Sequence, residues 1–346
     1  VQRYYGETLQ SSEDLKTDVC CTSAAPPDYI KGVMAEIHPD VSARYYGCGL
    51  VLPEALEGMR ILDLGCGAGR DVYLLSRLAG ATGFVVGVDM TAAQLDVARK
   101  YQDWHAQRFG YAGSNVEFVQ ANIEELQNAD LEAGSFDLIV SNCVINLAMD
   151  KQAVLDSAFS LLRPGGEMYF ADIYVDRRVP DTLRNDPVLY GECLSGALYW
   201  NDFLHVAEQS GFAAPRLVEQ TPVTVTDPEI KTRIDGFTFW SATCRLFKAE
   251  GLESSAEDYG QQVQYLGSIP EFPDTISFDR EYQFATTSPL AVCGNTYKVL
   301  QQSRLAPHFR FIGDTQTHHG KFSSNPPEQS VSEPSGATVR SGGSCC

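Results

Sequence analysis

Between residues 59 and 216 the sequence alternates short apolar runs with longer stretches whose apolar residues recur at helical spacing. The apolar runs, which predict strands, are residues 60–64, 83–89, 116–120, 136–141 and 166–171. The intervening stretches, which predict helices, are residues 70–78, 91–109, 151–163 and 201–211. Such alternation is typical of a parallel sheet with helices on its faces. We therefore predict an α/β fold with a mostly parallel sheet.

Three further segments surround this alternating region. Residues 1–53 contain two helix-like pieces and predict an N-terminal arm, which leads into a sheet domain over residues 54–221. Beyond it the sequence becomes rich in aromatic residues, glycine and proline, which predicts a small C-terminal α+β domain over residues 222–314. Residues 315–346 are rich in Ser, Gly and Pro and too poor in apolar residues to pack, so we predict a flexible tail.

The amino-acid composition limits the kinds of molecule that this protein is expected to bind. With 26 basic and 45 acidic residues the formal net charge is −19, which disfavours binding to nucleic acid or to an anionic membrane. No apolar run approaches the roughly 18 residues of a membrane span, and no secretory signal opens the chain. Ten cysteines are too sparse for a disulfide scaffold in a chain of 346 residues. We expect a cytoplasmic monomer with reduced thiols.

A glycine loop follows the first predicted strand. Asp63, Gly65, Gly67 and Gly69 form the pattern Asp-x-Gly-x-Gly-x-Gly, and glycine lets a backbone turn sharply and approach a ligand closely. The nicotinamide fingerprint Gly-x-Gly-x-x-Gly would need glycine where Arg70 stands, which disfavours hydride transfer. The observed spacing is that of loops that hold the methionine part of S-adenosylmethionine, and the carboxylate of Asp63 suits its ammonium group.

Polar residues also end the next two strands. Asp89 ends the second strand, where a carboxylate can accept the two hydroxyls of a ribose. Asn122 and Ile123 follow the third strand and offer an amide and an apolar face to adenine. Because ligands of open α/β sheets bind beyond the carboxyl ends of the strands, we expect these residues to share one site with the glycine loop.

Three cysteines stand near the predicted sheet edge. Cys143 follows the fourth strand, Cys193 lies in the connection after the fifth, and Cys48 lies in the arm just before the sheet. Thiolates select soft metal centres, and the paired Cys-x-x-Cys spacing of a zinc site is absent. Three thiolates suit a trigonal-pyramidal centre with a free lone pair, such as trivalent arsenic or antimony. Glu192, next to Cys193, is a candidate acceptor for a thiol proton.

The other cysteines carry weaker expectations. Cys66, Cys244 and Cys293 are expected to pack as small apolar residues. The adjacent Cys20 and Cys21 favour capture of a soft metal or disulfide exchange. The two C-terminal cysteines, residues 345–346, could also capture a soft metal or exchange disulfides, or they could have no role.

Several of these motifs together resemble the arsenite S-adenosylmethionine methyltransferases. The similar segments in the first half are residues 44–49, 62–71, 87–91, 141–147 and 191–193. Those in the second half are residues 267–270, 292–297 and 308–309, so the resemblance covers roughly residues 1–314. The glycine loop is shared by many methyltransferases, whereas its combination with Cys48, Cys143 and Cys193 is specific to this family.

The resemblance implies a class I methyltransferase fold of Rossmann-like topology with S-adenosylmethionine as cofactor. It implies that trivalent arsenic, free or as a thiol conjugate, is bound by Cys48, Cys143 and Cys193 and is methylated stepwise, with a third methylation left open. Cys20 or Cys21 would form a disulfide with Cys48 during turnover, which thioredoxin or glutathione would reduce. The cofactor residues carried over are Tyr46, Asp63, Gly65, Cys66, Gly67, Asp89, Met90, Asn122, Ile123, Asn142, Val144 and Leu147.

We interpret the chain as an arsenic-detoxifying enzyme in which arsenic attacks the sulfonium methyl by in-line displacement. A methyltransferase of a small metabolite, with structural cysteines, is one alternative. A non-catalytic binder of trivalent arsenic or antimony is another, although the complete set of cofactor motifs disfavours it. Survival of activity without Cys143 and Cys193 would favour the first alternative, and turnover that depends on the cofactor would exclude the second.

Overall fold

The computed structural model describes residues 26–45 and 49–323. Its largest element is an eight-stranded sheet. The strands are β1 (Arg60–Leu64), β2 (Phe84–Asp89), β3 (Val116–Gln120), β4 (Phe136–Asn142), β5 (Leu162–Val175), β6 (Leu198–Tyr199), β7 (Arg216–Pro222) and β8 (Phe239–Phe247). The order across the sheet is β3-β2-β1-β4-β5-β8-β7, and the short β6 pairs with β5.

The first six strands are all parallel to one another, whereas β8 runs antiparallel to both β5 and β7. From β1 the chain adds β2 and β3 on one side and then returns to place β4 on the other. This reversal opens a crevice at the carboxyl ends of β1 and β4, which is where ligands bind in open α/β sheets. The site predicted from the sequence falls at this crevice.

The helices cover both faces of the sheet. They are α1 (Asp28–Met34), α2 (Pro39–Ser42), α3 (Arg70–Ala79), α4 (Ala92–Lys100), α5 (Gln102–Phe109), α6 (Lys151–Leu161), α7 (Asp181–Arg184), α8 (Pro187–Gly191), α9 (Trp200–Gln209), α10 (Pro228–Arg233) and α11 (Gly294–Gln302). Successive residues of β1 point to opposite faces, so Ile61 packs with α3 and α4 while Leu62 packs with α6 and α9. None of the described helices is long and apolar enough to span a membrane.

Beyond β8 the described chain forms three small antiparallel sheets and α11. Their strands are β9 (Glu257–Asp258), β10 (Gln262–Tyr265), β11 (Thr275–Ser277), β12 (Gln283–Ala285), β13 (Leu290–Ala291), β14 (Phe309–Ile312) and β15 (Gly320–Lys321). A separate apolar core holds them together, with Tyr265, Phe278 and Phe284 at its centre. The predicted combination of helix and strand in this part of the chain is confirmed.

The α/β fold with a mostly parallel sheet is also confirmed, and the five predicted strands appear at the expected places. The sheet, however, continues past the boundary predicted between residues 221 and 222. Phe239–Phe247 inserts between β5 and β7, a long-range antiparallel pairing that local patterns do not encode. The tail predicted from residue 315 likewise includes Gly320–Lys321, which pairs with β9.

Candidate active site

The glycine loop turns at the end of β1. Gly65, Gly67 and Gly69 all have positive φ, at +75°, +53° and +86°. The N–H groups of Gly65 and Cys66 both donate to the carbonyl of Val88, at 2.7 and 2.9 Å, so the loop is fastened to the end of β2. A Cβ at Gly65 would lie 2.5 Å from the side chain of Val144. Glycine is required there because the loop from β4 passes so close.

A cavity of about 420 Å³ lies beside this loop. Its lining includes every residue carried over for cofactor binding that the structure describes: Asp63, Gly65, Cys66, Gly67, Asp89, Met90, Asn122, Ile123, Asn142, Val144 and Leu147. These residues come from the ends of four parallel strands. The remaining one, Tyr46, lies outside the described residues.

Carboxylates dominate the charge of the cavity lining. Asp63 is 4% exposed and has no hydrogen-bond donor among the described residues. Burial, with the nearby charges of Asp71 and Asp89, raises the pKa of Asp63 well above its usual value. A buried carboxylate of this kind calls for a cationic partner. The ammonium and sulfonium groups of S-adenosylmethionine would supply that positive charge.

Asp89 is held by backbone donors. Its two carboxylate oxygens accept from the N–H groups of Gly67, at 2.9 Å, and Thr91, at 2.8 Å. Burial raises the pKa of Asp89, and these hydrogen bonds oppose the rise. Because each carboxylate oxygen can accept a second hydrogen bond, Asp89 keeps the capacity to accept two ribose hydroxyls.

Asn142 ties the N-terminal segment to the end of β4. Its amide Nδ2 lies 2.7 Å from the Tyr45 hydroxyl and 2.9 Å from the carbonyl of Gly49. The Tyr45 hydroxyl also donates to the Gly49 carbonyl. Tyr45 and Gly49, which flank positions 46–48, are therefore both hydrogen-bonded to Asn142, the residue before Cys143.

Cys143 and Cys193 share an unusual backbone conformation. Their φ angles are +56° and +59°, in the left-handed region that non-glycine residues seldom adopt. Such a conformation costs about 1–3 kcal/mol per residue and occurs preferentially at functional sites. Both cysteines are buried, and the thiol of Cys193 donates to the carbonyl of Cys143 at 3.4 Å. Cys143 lines the cavity, whereas Cys193 is not among the lining residues.

Other predicted cysteines have different surroundings. The expectation of reduced thiols is wrong for Cys143, which is one half of a disulfide. Cys66, Cys193, Cys244 and Cys293 are free thiols, as expected. Burial of Cys66, Cys244 and Cys293 agrees with the packing role predicted for them. The candidates Cys20, Cys21 and Cys48 lie outside the described residues, and in residues 26–45 and 49–323 no group of three potential ligands could hold a metal ion.

The structure adds site residues that sequence reasoning missed. Asp71, in the first turn of α3, forms an ion pair with the guanidinium of Arg70 at 2.8 Å. Asp71 lines the cavity beside Asn142. Met149 and Tyr190 also line it. The Asp71 position was within the motif that carried the family resemblance, whereas Tyr190 reaches the cavity only through the packing of α8. Glu192, the candidate proton acceptor, is 3% exposed.

The topology, the glycine loop and the acidic cavity define a methyltransferase that depends on S-adenosylmethionine. A family model described as a methyltransferase domain matches residues 55–211. A second, described as the arsenite methyltransferase C-terminal domain, matches residues 258–346.

Individual relatives identify the family. The arsenite methyltransferase of Aquipseudomonas alcaligenes is 55% identical over 93% of this chain and 92% of its own length. That of Mus musculus is 45% identical over 90% of this chain and 82% of its own length. The crystal structure of CrArsM, an arsenic(III) S-adenosylmethionine methyltransferase from Chlamydomonas reinhardtii, is 47% identical, with a TM-score of 0.84 over 86% of this chain and 100% of its own. This chain belongs to the arsenite methyltransferase family.

Proposed function

We propose that this chain methylates trivalent arsenic with S-adenosylmethionine as the methyl donor. The observation that carries the proposal is the pair Cys143 and Cys193, whose strained backbones are linked by the hydrogen bond from the Cys193 thiol to the Cys143 carbonyl, with Cys143 lining the cavity. Buried cysteines that only fill space need no left-handed backbone. Once the disulfide of Cys143 is reduced, two thiols brought together at such a conformational cost would be suited to holding a soft atom beside the cofactor.

Cys48 is the third thiol that we propose as an arsenic ligand. Its neighbour Gly49 bonds through its carbonyl to Asn142, which adjoins Cys143. A third thiolate would complete a trigonal-pyramidal arrangement and leave the lone pair of arsenic free. Three thiolates would hold arsenite, and two would suffice for an arsenic that already carries a methyl group.

The chain contributes mainly position and charge to the reaction. Bound S-adenosylmethionine supplies an electrophilic methyl on a positively charged sulfur, and the arsenic lone pair is the nucleophile of an in-line displacement. Asp63, Asp71 and Asp89 provide negative charge for the cationic cofactor. Because a lone pair attacks, the transfer itself needs no general base. Alignment of two bound reactants can lower a barrier by roughly 7–11 kcal/mol.

The thiols must lose their protons before they bind arsenic, so binding should weaken as the pH falls. Glu192 is our candidate acceptor for the proton of Cys193. Attack by the lone pair would release S-adenosylhomocysteine and convert As(III) formally to As(V). We further propose that Cys20 or Cys21 forms a disulfide with Cys48 during turnover. This oxidation supplies the two electrons that return arsenic to As(III), and thioredoxin or glutathione then reduces the disulfide. The biological role that fits this chemistry is arsenic detoxification.

The decisive experiment incubates the reduced protein with arsenite and S-adenosylmethionine, with and without excess thiol. Arsenic species are then separated by chromatography with elemental detection. We expect methylated arsenic only when the cofactor is present. Cys143→Ser and Cys193→Ser should abolish methylation of arsenite and of methylarsenite, because each removes a ligand needed at every step, while cofactor affinity should stay near that of the parent protein.

Cys293→Ser is the matched control. Cys293 caps α11, its sulfur accepting from the N–H of Thr296 at 3.5 Å, and serine is among the preferred residues for that position. This variant should retain full activity. Unimpaired methylation by either active-site variant would exclude these thiols as ligands, and the small-metabolite reading would then be preferred.

A further inference from the structure

A buried polar cluster lies beneath the turn that carries Cys143. The carboxylate of Asp172, in β5, accepts the N–H groups of Asn146 at 3.0 Å and Ile173 at 2.8 Å. The ammonium of Lys151, at the start of α6, donates to the carbonyls of Asn146 at 3.3 Å and Ala148 at 2.8 Å. The side-chain amide of Asn146 donates to the carbonyl of Ile173 at 2.5 Å. The backbone N–H, the backbone carbonyl and the side-chain N–H of Asn146 are therefore all engaged.

The turn that carries Cys193 packs directly against Asn146. A Cβ at Gly196 would lie 2.1 Å from the carbonyl oxygen of Asn146, so the backbones of the two turns are in direct contact. Asn146 follows Cys143 by three positions, and Gly196 follows Cys193 by three. Through this contact the cluster fixes both turns relative to each other.

Burying the charged groups of this cluster costs folding free energy. Asp172 is fully buried, and burial raises its pKa to about 6, while burial lowers the pKa of Lys151. Buried charges stabilise a fold less well than apolar residues of similar size. None of Asp172, Lys151 and Asn146 lines the cofactor cavity. Their hydrogen bonds converge instead on the backbone beside the two strained cysteines.

We propose that Asp172 and Lys151 are positioning residues that act through Asn146 to set the distance between the Cys143 and Cys193 thiols. This inference rests on the proposed function, because it assigns the cluster to the arsenic-binding pair. Groups that orient metal ligands from behind typically change metal affinity by about 10–100-fold when they are replaced. The cluster supports the thiol pair in the same way.

The test measures the thiol pair directly with phenylarsine oxide, a trivalent arsenical that condenses with two thiols and releases water. A full-length parent variant carries serine at the five cysteines outside the described residues, Cys20, Cys21, Cys48, Cys345 and Cys346. Bridging of Cys143 to Cys193 in reduced protein is quantified by mass spectrometry of proteolytic peptides over a range of probe concentrations. Affinity for S-adenosylmethionine is measured in parallel by calorimetry.

In this parent we expect Asp172→Asn to weaken bridging about tenfold or more. The amide cannot accept both backbone N–H groups, so the turn at Asn146 loses its anchor. Cofactor affinity should stay within about twofold, because Asp172 does not line the cavity. Asp176→Asn is the matched control, since Asp176 lies just beyond β5, accepts the N–H of Thr238 at 3.3 Å and does not touch either turn.

Unchanged bridging in folded Asp172→Asn would overturn the inference, and so would a parallel loss of bridging and cofactor affinity, which marks a merely structural role. If this variant does not fold, Lys151→Met applies the same test, because it removes the donors to Asn146 and Ala148 but keeps an apolar chain. An absence of bridging in the parent would contradict the proposed function itself. That result is distinct from a loss confined to the cluster variants.

Discussion

At the scale of single residues, the glycine loop shows how closely the site is packed. Gly65 has a φ of +75°, and an added Cβ would meet both methyl groups of Val144 at 2.5 Å. Gly110, which follows α5, has the same φ of +75° and a left-handed conformation but nothing within 4 Å of such a Cβ. Comparing alanine substitutions at these two glycines therefore separates the energetic cost of the backbone conformation from the cost of overpacking.

Gly65→Ala should therefore destabilise the fold by about 1–3 kcal/mol more than Gly110→Ala does. It should also weaken cofactor binding, because relief of the clash pushes Val144 into the cavity. Chemical denaturation of both variants, with titration of S-adenosylmethionine, checks the two effects. Equal destabilisation by the two substitutions would show that Val144 moves aside without cost.

Sequence reasoning succeeded for residues whose role follows from their place on a strand. Asp63, Asp89 and Asn122 reach one cavity because the carboxyl ends of parallel strands share an edge. It failed for Asp172, which stands inside a continuously buried strand, and for Lys151, which opens a helix. Their meeting depends on how α6 packs over β5, and neither residue's neighbours in sequence signal it.

At the scale of elements, the region predicted as one helix over residues 91–109 divides at Tyr101 into α4 and α5. The Tyr101 hydroxyl donates to Asp40 at the start of α2. Its carbonyl lies 2.8 Å from Nδ1 of His105, and Nε2 of His105 accepts the N–H of His38 at 3.2 Å. The spacing of apolar residues predicted a helical stretch here, but the break arises from contacts with a distant helix.

These contacts predict an acid-sensitive helix junction. Burial lowers the pKa of His105 from 6.5 to about 4, and protonation of Nε2 would remove its bond from His38. Since the unfolded chain binds this proton near pH 6.5, stability falls as the pH drops from about 6.5 towards 4. Between pH 7 and pH 5 the parent protein should lose about 1–2 kcal/mol more than His105→Gln. Urea denaturation at both pH values measures the difference, and identical losses would contradict it.

At the scale of the whole molecule, a buried ion network joins three parts of the chain. Arg245 in β8 pairs with Glu167 in β5 at 2.7 Å and also contacts Glu54, which precedes β1. Arg304, which follows α11, pairs with Glu167 and donates to the carbonyl of Glu54 at 3.0 Å. Burial raises the pKa of Glu167, but the two guanidinium groups lower it further, to a value below normal.

Removal of one member should leave the others buried without compensation. We expect Arg304→Met to lower the free energy of unfolding by about 3–5 kcal/mol. Arg184→Met, which removes an exposed pair with Asp181 at 3.9 Å, should cost less than about 1 kcal/mol. Guanidinium denaturation of both variants gives the comparison. Similar small losses would mean that water reaches Glu167 and replaces the missing charge.

The same network explains why the predicted division between sheet and C-terminal domain was incomplete. Changes in composition located the aromatic-rich region, which does have its own core around Phe278. They did not reveal that Phe239–Phe247 belongs to the main sheet, nor that Arg304 reaches back to Glu167. Pairings between residues more than sixty positions apart, such as those of β8 with β5 and of Arg304 with Glu167, leave no local pattern to detect.

At the left-handed turns of Cys143 and Cys193, the residue that best suits the backbone differs from the residue that the proposed chemistry needs. Glycine is the residue that such backbone angles favour, so a change to glycine at either position would relieve strain. The same change would delete a thiol that we propose as an arsenic ligand. Selection for thermal stability alone would therefore drive these two positions away from cysteine, and only a continuing demand for thiol chemistry would retain it.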